Sequence, residues 1–359
     1  MPAEKLRPSL LDVARHASVS PATVSRVINN TARVRAGVRE RVLASVKTLG
    51  YQSAPSSTST ALLRHNTIAL IIPDILNPYF TEIVRGVQDE ASADKLLLLL
   101  LDTAEDGQRE LEFLRMLANQ PVCGIIVCGS RLPSDDIIAA LSHIRAPTVI
   151  INRTLRMPNV ASIKVDLKYS TYRATRHLLD LKHTRLAYLS GPGQSETSLA
   201  RREGIEAALA EVGLSLKPEW CPVSFPDVDG GFQAMSALLA LPQDNRPTAV
   251  MAYNDLMALG ILHAVRAHNF KVPEDISVIG IDNIAMAAHA NPPLTTLSLP
   301  KHRMGRTAMQ VLRRMIEGHP PPEEGYTLIE CPLIVRESTA PAVNTNERTL
   351  KVSCHSSGA

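Results

Sequence analysis

The chain has 359 residues and lacks any apolar run long enough to cross a membrane. The longest purely apolar run covers residues 96–101, whereas a helix that spans a bilayer needs roughly 20 apolar residues. The first residues also lack the apolar stretch that is typical of a secretory signal peptide. These absences predict a cytoplasmic protein without a membrane partner.

Cysteine is scarce, and its spacing fits neither a zinc site nor a redox motif. The five cysteines stand at positions 123, 128, 221, 331 and 354. None belongs to a Cys-x-x-Cys pair or to a cysteine–histidine group with zinc spacing. We therefore expect reduced and mostly structural thiols, and we expect neither a metal nor a cofactor.

The common catalytic motifs are also missing. A Gly-x-Gly-x-x-Gly loop would follow the first core strand, but residues 73–78 read Pro-Asp-Ile-Leu-Asn-Pro. The sequence contains no Gly-x-x-x-x-Gly-Lys-Ser/Thr loop for phosphates and no Gly-x-Ser-x-Gly elbow for a nucleophile. The sequence therefore argues against an enzyme.

Positive charge is concentrated at the start of the chain. Residues 1–50 contain nine Lys and Arg against three Asp and Glu, a net charge of +6. The whole chain carries +3, so the remaining residues sum to −3. A basic module attached to a mildly acidic body is typical of a nucleic-acid-binding domain joined to a domain with another task.

The basic region contains two short amphipathic helices around a tight turn at residues 18–20. One face of the first helix carries apolar side chains at intervals of three, four and seven residues: Leu10, Val13, Ala14 and Ala17. Ser20 is a suitable N-cap for the second helix, and Pro21 fits its first position, where a missing N–H is harmless. The second helix turns Val24, Val27 and Ile28 inward.

This pattern predicts a helix-turn-helix, whose second helix enters the major groove of DNA. Pro21, Ala22 and Arg26 remain on its outward face near the N-terminal end. An ordinary αα-hairpin within a larger core is the alternative. A third helix is predicted at residues 37–49, with Val38, Val42, Val46 and Leu49 on its inner face.

From Thr67 the pattern changes to apolar strands that alternate with amphipathic helices. Continuous apolar strands indicate burial on both faces, and therefore a doubly wound parallel sheet. The predicted strands are 68–73, 96–101, 123–128 and 148–152, then 186–190, 248–252 and 278–282. The predicted helices are 80–92, 107–119, 134–143, 169–181, 199–212, 231–241 and 255–268. Two α/β halves thus follow in tandem, with a crossover at 294–300 and a returning helix at 301–317.

Residues 17–29 read Ala-Ser-Val-Ser-Pro-Ala-Thr-Val-Ser-Arg-Val-Ile-Asn, and this stretch resembles the lactose-repressor/galactose-repressor family of bacterial transcription regulators. The resemblance covers about residues 9–340. It implies a small all-α headpiece followed by an α/β core of the type I periplasmic-binding-protein kind, with two doubly wound parallel-sheet subdomains. It also implies a homodimer on a pseudo-palindromic operator, repression, and control by a small-molecule effector, with sugars or sugar derivatives as the expected class and purine-like ligands as an alternative.

The resemblance implies the following division of the chain. Residues 1–51 form the headpiece, 52–66 a hinge or linker, 67–340 the core, and 341–359 a disordered tail. Within the core, the N-subdomain covers about 67–164 and 299–326, and the C-subdomain about 165–298 and 327–340. The hinge becomes a helix on DNA in the family, but a plain disordered linker is the alternative, because this segment is two residues longer than usual and rich in Ser and Thr.

The candidate DNA contacts lie in the headpiece and hinge. Arg26 is suited to a bidentate contact with guanine, while Pro21 and Ala22 permit close approach. Four further candidates are expected to meet phosphates, with a helix cap or a local side-chain-to-backbone bond as the alternative: Ser20, Thr23, Ser25 and Asn29. Arg39 is also expected to meet a phosphate, with a solvated helix face as the alternative, and Tyr51 is a further candidate DNA contact. By the resemblance, Leu62 inserts into the minor groove.

The candidate effector contacts follow strand ends of the core, where doubly wound sheets bind ligands. By the resemblance they are Asn152, Arg201, Phe225, Asn254 and Asp282. An arginine and an aspartate facing one cleft can bind vicinal hydroxyls. The alternatives are a strand-exit turn for Asp282 and a helix N-cap for Asp255, and Lys301 is a weak indication of an anionic ligand. A small-molecule sensor of the same core fold without DNA binding is the alternative function.

Overall fold

The computed structural model describes residues 8–28, 34–49, 51, 66–191, 195–322, 326–328 and 331–342. The chain divides into two compact units, Met1–Asn66 and Thr67–Ala359. Each unit has its own secondary structure and its own buried apolar core. Within these described ranges, no helix is both long and apolar enough to span a bilayer.

The first unit contains the helices α1 (Leu10–Ala17), α2 (Pro21–Ile28) and α3 (Ala36–Leu49). Helix α1 begins at a capping box, in which Ser9 and Asp12 each accept a hydrogen bond from the backbone N–H of the other. It ends at Ser18, whose left-handed backbone (φ 53°) turns the chain toward α2. The apolar core draws on all three helices: Val13, Ala14, Ala17, Val24, Val27 and Val42. The predicted helix-turn-helix is confirmed.

One contact in this unit was not apparent from the apolar pattern. Ser45 of α3 is buried, and its hydroxyl lies 2.9 Å from Nδ1 of His16 on α1. The same hydroxyl donates to the carbonyl of Arg41 at 2.8 Å. A polar pair therefore joins α1 to α3 beside the apolar core.

The second unit begins with a six-stranded sheet, here called the N-sheet. Its strands are β1 (Thr67–Ile72), β2 (Leu97–Asp102), β3 (Gly124–Cys128), β4 (Thr148–Ile151), β5 (Val160–Val165) and β10 (Tyr326–Leu328). All neighbours pair in parallel in the order β10-β5-β4-β3-β1-β2. The accompanying helices are α4 (Pro78–Ala93), α5 (Gly107–Ala118), α6 (Ser134–Ser142) and α12 (Lys301–Ile316). Sheet and helices form the N-subdomain.

The C-subdomain contains a five-stranded sheet, the C-sheet, with the order β11-β9-β8-β7-β6. Its strands are β6 (Leu186–Leu189), β7 (Ala249–Ala252), β8 (Ser277–Asp282), β9 (Thr295–Ser298) and β11 (Leu333–Ile334). They pair in parallel except for β11, which runs antiparallel to β9. The helices are α7 (Leu167–Asp180), α8 (Glu196–Ala210), α9 (Val228–Leu239), α10 (Asp255–Ala267) and α11 (Ala285–His289).

Helices cover both faces of each sheet, as the doubly wound prediction requires. On one face of the N-sheet, α4 and α12 contribute to an apolar cluster that continues through α7 and α8 to the C-sheet. Helices α5 and α6 cover the opposite face of the N-sheet, and α9 and α10 cover the opposite face of the C-sheet. The inner strands are therefore buried on both sides, which explains their continuous apolar sequences. The edge strand β2 is different, since its Leu97 and Leu99 are exposed.

The prediction was wrong or incomplete at two strands. Residues 294–300, predicted to be only a crossover, contain strand β9, which pairs with β8 before the chain leaves the C-sheet. Its Thr296 hydroxyl donates to Asp255 at 2.6 Å, so a polar side chain is accommodated inside the sheet. Strand β5 was missed because Ser162 and Lys164 interrupt its apolar run. Ser162 is nevertheless buried and accepts the N–H of Leu155 at 3.0 Å.

The predicted tail at 341–359 lies outside the described residues except for its first two positions. There the N–H of Ala342 donates to the carbonyl of Leu181 at 2.8 Å, so the tail starts against the C-subdomain. The short strands β10 and β11 were not predicted either, because two or three residues give no usable periodicity.

Candidate functional site

The outward face of α2 carries the side chains that we predict to read DNA. Pro21, Ala22 and Arg26 are exposed, whereas Val24 and Val27 are buried against the other two helices. The exposed face thus combines two short side chains with one guanidinium in the last turn of the helix. Short side chains allow close approach to a groove, and the guanidinium offers paired donors to a base edge.

Ser20 is the cap of α2. Its hydroxyl accepts the N–H of Thr23 at 3.2 Å and lies 2.9 Å from the Thr23 hydroxyl. The capping role considered for Ser20 is therefore present, and both hydroxyls lie at the N-terminal end of the helix, where the unpaired N–H groups and the helix dipole favour a phosphate. Ser25 is half-buried, and Arg39 is exposed on α3.

Of the three remaining DNA candidates, Tyr51 is the one that the structure describes. Tyr51 is half-buried and packs against the headpiece core, and its N–H donates to the carbonyl of Val46 at 3.1 Å. Asn29 and Leu62 lie outside the described residues, as does the hinge from residue 52 to residue 65. Their predicted roles stay predictions.

A second candidate site is a cleft between the N-sheet and the C-sheet. Asn152 follows β4, Tyr253 and Asn254 follow β7, and Asp282 ends β8. The cleft therefore lies at the carboxyl ends of the strands, where open α/β sheets bind ligands. Its lining comes from both subdomains: Asn77, Tyr79, Phe80, Glu105, Gly129, Arg131, Asn152, Thr197, Arg201, Pro226, Tyr253, Asn254 and Asp282. Four of the five predicted effector residues are among them.

Arg201 is the central cation of the C-subdomain wall. It lies in the second turn of α8 and not at its beginning, because the helix starts at Glu196, three residues before the predicted start. The side chain is buried, with its guanidinium carbon 4.3 Å from the centre of the Tyr253 ring. One terminal nitrogen donates to the carbonyl of Thr197 at 3.4 Å. Within the described residues, Nε of Arg201 is buried without a hydrogen-bond partner.

Asp282 lies at the end of β8, in a position that suits both an effector contact and a strand-exit turn. Its φ of 120° lies in the left-handed region, and it is followed by Asn283 with φ 52°. The residue therefore forms a strained strand-exit turn and also lines the cleft. Burial raises the pKa of Asp282 well above its ordinary value; nearby Asp255 raises this pKa further, while Arg201 lowers it.

Asp255 is not the N-cap of α10, because that position belongs to Asn254. Its buried carboxylate accepts the N–H of Ile284 at 2.8 Å and the hydroxyl of Thr296 at 2.6 Å. Burial raises the pKa of Asp255 to about 7, against the lowering effect of those two hydrogen bonds. Asp255 thus supports the turn that carries Asp282 from behind the cleft.

Asn152 and Tyr79 form the polar part of the N-subdomain wall. The Asn152 amide donates to the Tyr79 hydroxyl at 2.8 Å. The carbonyl oxygen Oδ1 of Asn152 is buried, and the described part of the chain offers it no hydrogen-bond partner. Tyr79 also packs edge-on against Phe80, with ring centres 4.9 Å apart. This wall therefore offers an acceptor beside two aromatic rings.

Asn254 and Phe225 are less available to a ligand in the cleft than the other predicted effector residues are. Asn254 lines the cleft, but its Oδ1 accepts the N–H of Met257 and its amide donates to the carbonyl of Pro226, both at 2.8 Å. Its side chain is thus largely occupied in fixing the start of α10. Phe225 is 50% exposed, and its neighbour Pro226 takes the place in the lining. The effector contact of Phe225 stays a prediction, and in this structure the lining residue of the loop is Pro226.

The ion pair between Glu105 and Arg131 was missed. Both side chains are buried in the N-subdomain wall, and Arg131 donates to both carboxylate oxygens of Glu105, with Nη2–Oε1 at 2.9 Å. A third donor of Arg131 binds the carbonyl of Gly129 at 3.2 Å. Glu105 itself has a left-handed backbone with φ 63°. The sequence carries no motif for this pair, because the partners follow different strands and meet only in the folded sheet.

Lys301 does not provide a free cation to the cleft. Its ammonium donates to the carbonyl oxygens of Asp282 at 2.6 Å and Asn283 at 2.9 Å. Lys301 therefore does not support the prediction of an anionic ligand. Across the described ranges, no three His, Cys, Asp or Glu side chains are grouped so that they could hold a metal ion. The cleft offers hydrogen-bond donors, acceptors and aromatic faces, which suit binding.

The comparisons with known proteins cover both units. Residues 9–54 match the family described as "Bacterial regulatory proteins, lacI family", and residues 175–339 match the "Periplasmic binding protein-like domain". The HTH-type transcriptional repressor CytR of Escherichia coli (strain K12) is 34% identical over 331 residues, covering 92% of this chain and 96% of the relative. The HTH-type transcriptional repressor PurR of Photobacterium profundum is 35% identical over 317 residues, covering 86% and 92%.

Solved structures agree in fold. The complex of the transcriptional regulator CelR with cellobiose has a TM-score of 0.67 and 31% identity, and it covers 92% of this chain and 100% of that one. The lac repressor dimer bound to operator and the anti-inducer ONPF has a TM-score of 0.69 and 26% identity, with coverage of 93% and 99%. A LacI family regulator from Enterococcus faecium with bound ribose has a TM-score of 0.67 and 28% identity over 77% of this chain.

Proposed function

Because this chain belongs to the lacI family of bacterial regulatory proteins, we propose that it is a transcriptional repressor whose affinity for operator DNA is controlled by a small molecule in the cleft. The relatives are repressors, so the chain is a regulator rather than an enzyme. We place its action in the cytoplasm, where chromosomal DNA is accessible. A homodimer would bring two headpieces to the two halves of a pseudo-palindromic operator.

One observation carries the assignment of the effector site. Two buried polar atoms that line the same cleft, Nε of Arg201 and Oδ1 of Asn152, have no partner among the described residues. Buried polar groups without hydrogen bonds are unfavourable. A donor and an acceptor left open on opposite walls therefore favour a ligand that supplies the complementary groups.

The charges of the lining favour an uncharged effector. The lining contains two arginines, Arg131 and Arg201, and two acidic residues, Glu105 and Asp282, so its formal charges balance. Arg131 is already neutralised by Glu105, and the ammonium of Lys301 is held by two carbonyl oxygens. Among the described lining residues, a phosphate or carboxylate on the ligand would thus find Arg201 as the one cation outside an ion pair.

The aromatic residues of the lining further restrict the chemical class of the effector. Tyr79, Phe80 and Tyr253 contribute ring surfaces, while Arg201 and Asp282 provide a donor and a carboxyl group on one wall. Rings suit the flat faces of a sugar or a base, and the Arg–Asp combination suits vicinal hydroxyls. We infer a polyhydroxylated ring compound, a sugar or a nucleoside-like sugar derivative. The related structures with cellobiose and ribose are consistent with this class.

The control mechanism needs only different affinities of the effector for two states of the core. The cleft is lined by both subdomains, so a ligand that contacts Arg201 and Asn152 together favours one angle between them. The operator favours one angle in the same way through the headpieces. The effect of the effector on operator affinity then equals the effect of the operator on effector affinity.

The test begins with the wild-type full chain and a random pool of DNA duplexes, from which bound sequences are selected. We expect a pseudo-palindromic sequence to be enriched. The selected duplex is then titrated with a defined panel: ribose, cellobiose, adenine, guanine and the four common ribonucleosides. At least one panel compound should raise the melting temperature and change operator affinity. Enrichment of no sequence, together with binding of a panel compound, would favour the alternative of a sensor without operator function.

A further inference from the structure

Lys301 joins the effector cleft to the point where the chain crosses between the subdomains. We propose that Lys301 is a positioning residue of the switch, which links the turn bearing Asp282 to the N-subdomain and transmits occupation of the cleft to it. The proposal rests on the proposed function, since it assigns a route by which the same site acts. The buried ammonium group of Lys301 makes three contacts that connect these parts.

Lys301 is the first residue of α12 and is 5% exposed. Its Nζ donates to the carbonyl oxygens of Asp282 at 2.6 Å and Asn283 at 2.9 Å, and it lies 3.4 Å from Oε1 of Glu82. A lysine ammonium has three donors and no acceptor. Two carbonyl oxygens of the C-subdomain therefore accept hydrogen bonds from this ammonium, and Glu82 of the N-subdomain forms an ion pair with it.

The turn held by Lys301 is the one that presents Asp282 to the cleft. Two successive non-glycine residues, Asp282 and Asn283, adopt φ values of 120° and 52° there. Such a backbone persists only where surrounding contacts fix it. A shift of the Asp282 side chain toward a ligand would move its own carbonyl, and this carbonyl is the shorter of the two acceptors of Lys301.

The C-subdomain supports the same turn independently. Arg336 donates to Oδ1 of Asn283 at 2.8 Å and to the carbonyl of Leu294 at 2.6 Å. The carboxylate of Asp255 accepts the N–H of Ile284 at 2.8 Å. Without Lys301 the turn would thus keep its anchors within the C-subdomain. The link to the N-subdomain is the contact that would be lost.

The other end of the link reaches the facing wall of the cleft. Glu82 belongs to α4, and the first turn of the same helix carries the lining residues Tyr79 and Phe80. Helix α12, which begins with Lys301, packs along α4. Lys301 also follows the end of β9 at Ser298 by only three residues, so it lies at a crossover between the sheets. From its position at the crossover, the Lys301 side chain therefore contacts both the turn and α4.

Burial makes this link stiff. An ammonium group removed from water needs all its acceptors, and breaking a buried charged contact is strongly unfavourable. A change of the angle between the subdomains would separate Lys301 from Asp282 and Asn283 unless the turn moved with it. The position of the turn and the angle between the subdomains are in this way tied together.

The first test compares Lys301→Met with Arg336→Met in the full-length protein. Each variant removes one cation that donates hydrogen bonds to this turn. Arg336, however, belongs to the C-subdomain, and its hydrogen bonds stay within that subdomain. All panel compounds are titrated on each variant, with and without the selected operator. In the wild type, we expect the active compound to change operator Kd by a factor of about 5 to 150.

For Lys301→Met, we expect that factor to approach one while the compound still binds the free protein and the free protein still binds operator. Arg336→Met should weaken binding of the compound but retain a response once it is bound. A wild-type response in Lys301→Met would overturn the proposal. An equal loss of response in both variants would do the same, since it would indicate general damage to the turn.

The second test needs neither an effector nor an operator. Amide hydrogen exchange of the free full chain is compared among the wild type, Lys301→Met and Arg336→Met. Lys301→Met should increase exchange on both sides of the link, at the turn after β8 and at the first turn of α4, where Tyr79 donates its N–H to Asn77. Arg336→Met should increase exchange only in the C-subdomain.

Increased exchange confined to the C-subdomain in both variants would refute the link whatever the panel compounds do. Failure of the proposed function is distinguishable from this outcome. In that case no panel compound would alter operator binding by the wild type, while the exchange pattern would still decide whether Lys301 joins the subdomains.

Discussion

Replacement of Arg201 by methionine tests the effector site most directly. Methionine keeps the unbranched stem of arginine but is shorter, and its sulfur can pack against the Tyr253 ring, whose centre now lies 4.3 Å from the guanidinium carbon. The variant therefore removes the charge and the donors with less loss of packing than a truncation to alanine. Alanine would instead leave a cavity beside Tyr253, because Arg201 is only 6% exposed.

The expected loss of effector affinity follows from burial. A charged donor removed from a desolvated site, with its ligand partner left unpaired, costs about 2–5 kcal/mol, or roughly 30- to 4,000-fold in Kd. The lower end applies if the ligand meets only Nε, and the upper end applies if it also meets a terminal nitrogen. Operator affinity without effector should change little, because the hydrogen bond and the ring contact of the Arg201 guanidinium, to Thr197 and Tyr253, lie within its own subdomain.

The same variant should have a pH signature. Burial raises the pKa of Asp282, and Arg201 opposes this rise, so the pKa of Asp282 should be higher still in Arg201→Met. An acid whose folded pKa is raised stabilises the protein most below its unfolded value near 3.8, and this contribution is lost as pH rises through the folded value. The melting temperature of Arg201→Met should therefore fall further below that of the wild type once the pH has risen through the folded pKa of wild-type Asp282.

The assay combines calorimetry with the active panel compound, operator binding with and without that compound, and thermal unfolding at several pH values. Arg202→Met is the matched control, because Arg202 is the next residue of α8 and forms an exposed pair with Glu206 at 2.7 Å. It should leave all three measurements near wild type. Wild-type effector affinity in Arg201→Met would refute the assignment of this cleft as the effector site.

Three further predictions concern other parts of the molecule. Arg26→Ala should cost about 1–3 kcal/mol at the selected operator and relax preference at one G·C pair per half-site, whereas Arg39→Ala should weaken binding to all sequences alike; an unaltered preference would contradict the role of α2. Leu62→Ser should lower operator affinity but leave non-specific binding and its salt slope unchanged, and an equal loss on both kinds of DNA would exclude insertion into the minor groove. Asp255→Asn removes a carboxyl group whose pKa is raised to about 7, so the wild-type melting temperature should fall relative to that of the variant between pH 5 and pH 8; a constant difference would show that Asp255 does not titrate there.

Local patterns were sufficient for most of the secondary structure. The headpiece helices follow from apolar spacing and from caps, since Ser20 does accept the N–H of Thr23. The parallel sheets follow from apolar runs such as β1 and β3, whose apolar side chains are buried. Periodicity failed at β5 and β9, because Ser162 and Thr296 reside inside the sheets with hydrogen bonds to distant residues.

The site divides in the same way. The sequence placed Asn152, Arg201, Asn254 and Asp282 at strand ends or on a neighbouring helix, because strand ends are legible from apolar runs and parallel strands share one edge. The sequence could not distinguish side chains that are open to the cleft from side chains that support its wall. It therefore predicted a ligand contact for Asn254, whose side chain is largely engaged in hydrogen bonds with Met257 and Pro226. A shift of one residue in an irregular loop was enough to exchange Phe225 for Pro226.

The sequence by itself thus determined the helix-turn-helix, the tandem α/β core and the strand edge along which the cleft lies, since each depends on residues close together in the chain. Only the tertiary structure decided which charged side chains are already paired with other groups of the protein. Glu105 neutralises Arg131 across 26 positions, and Lys301 reaches carbonyl oxygens 18 and 19 positions away. Such pairs form where separate strands and helices meet, so their partners are set by packing in three dimensions, and no spacing along the chain records them.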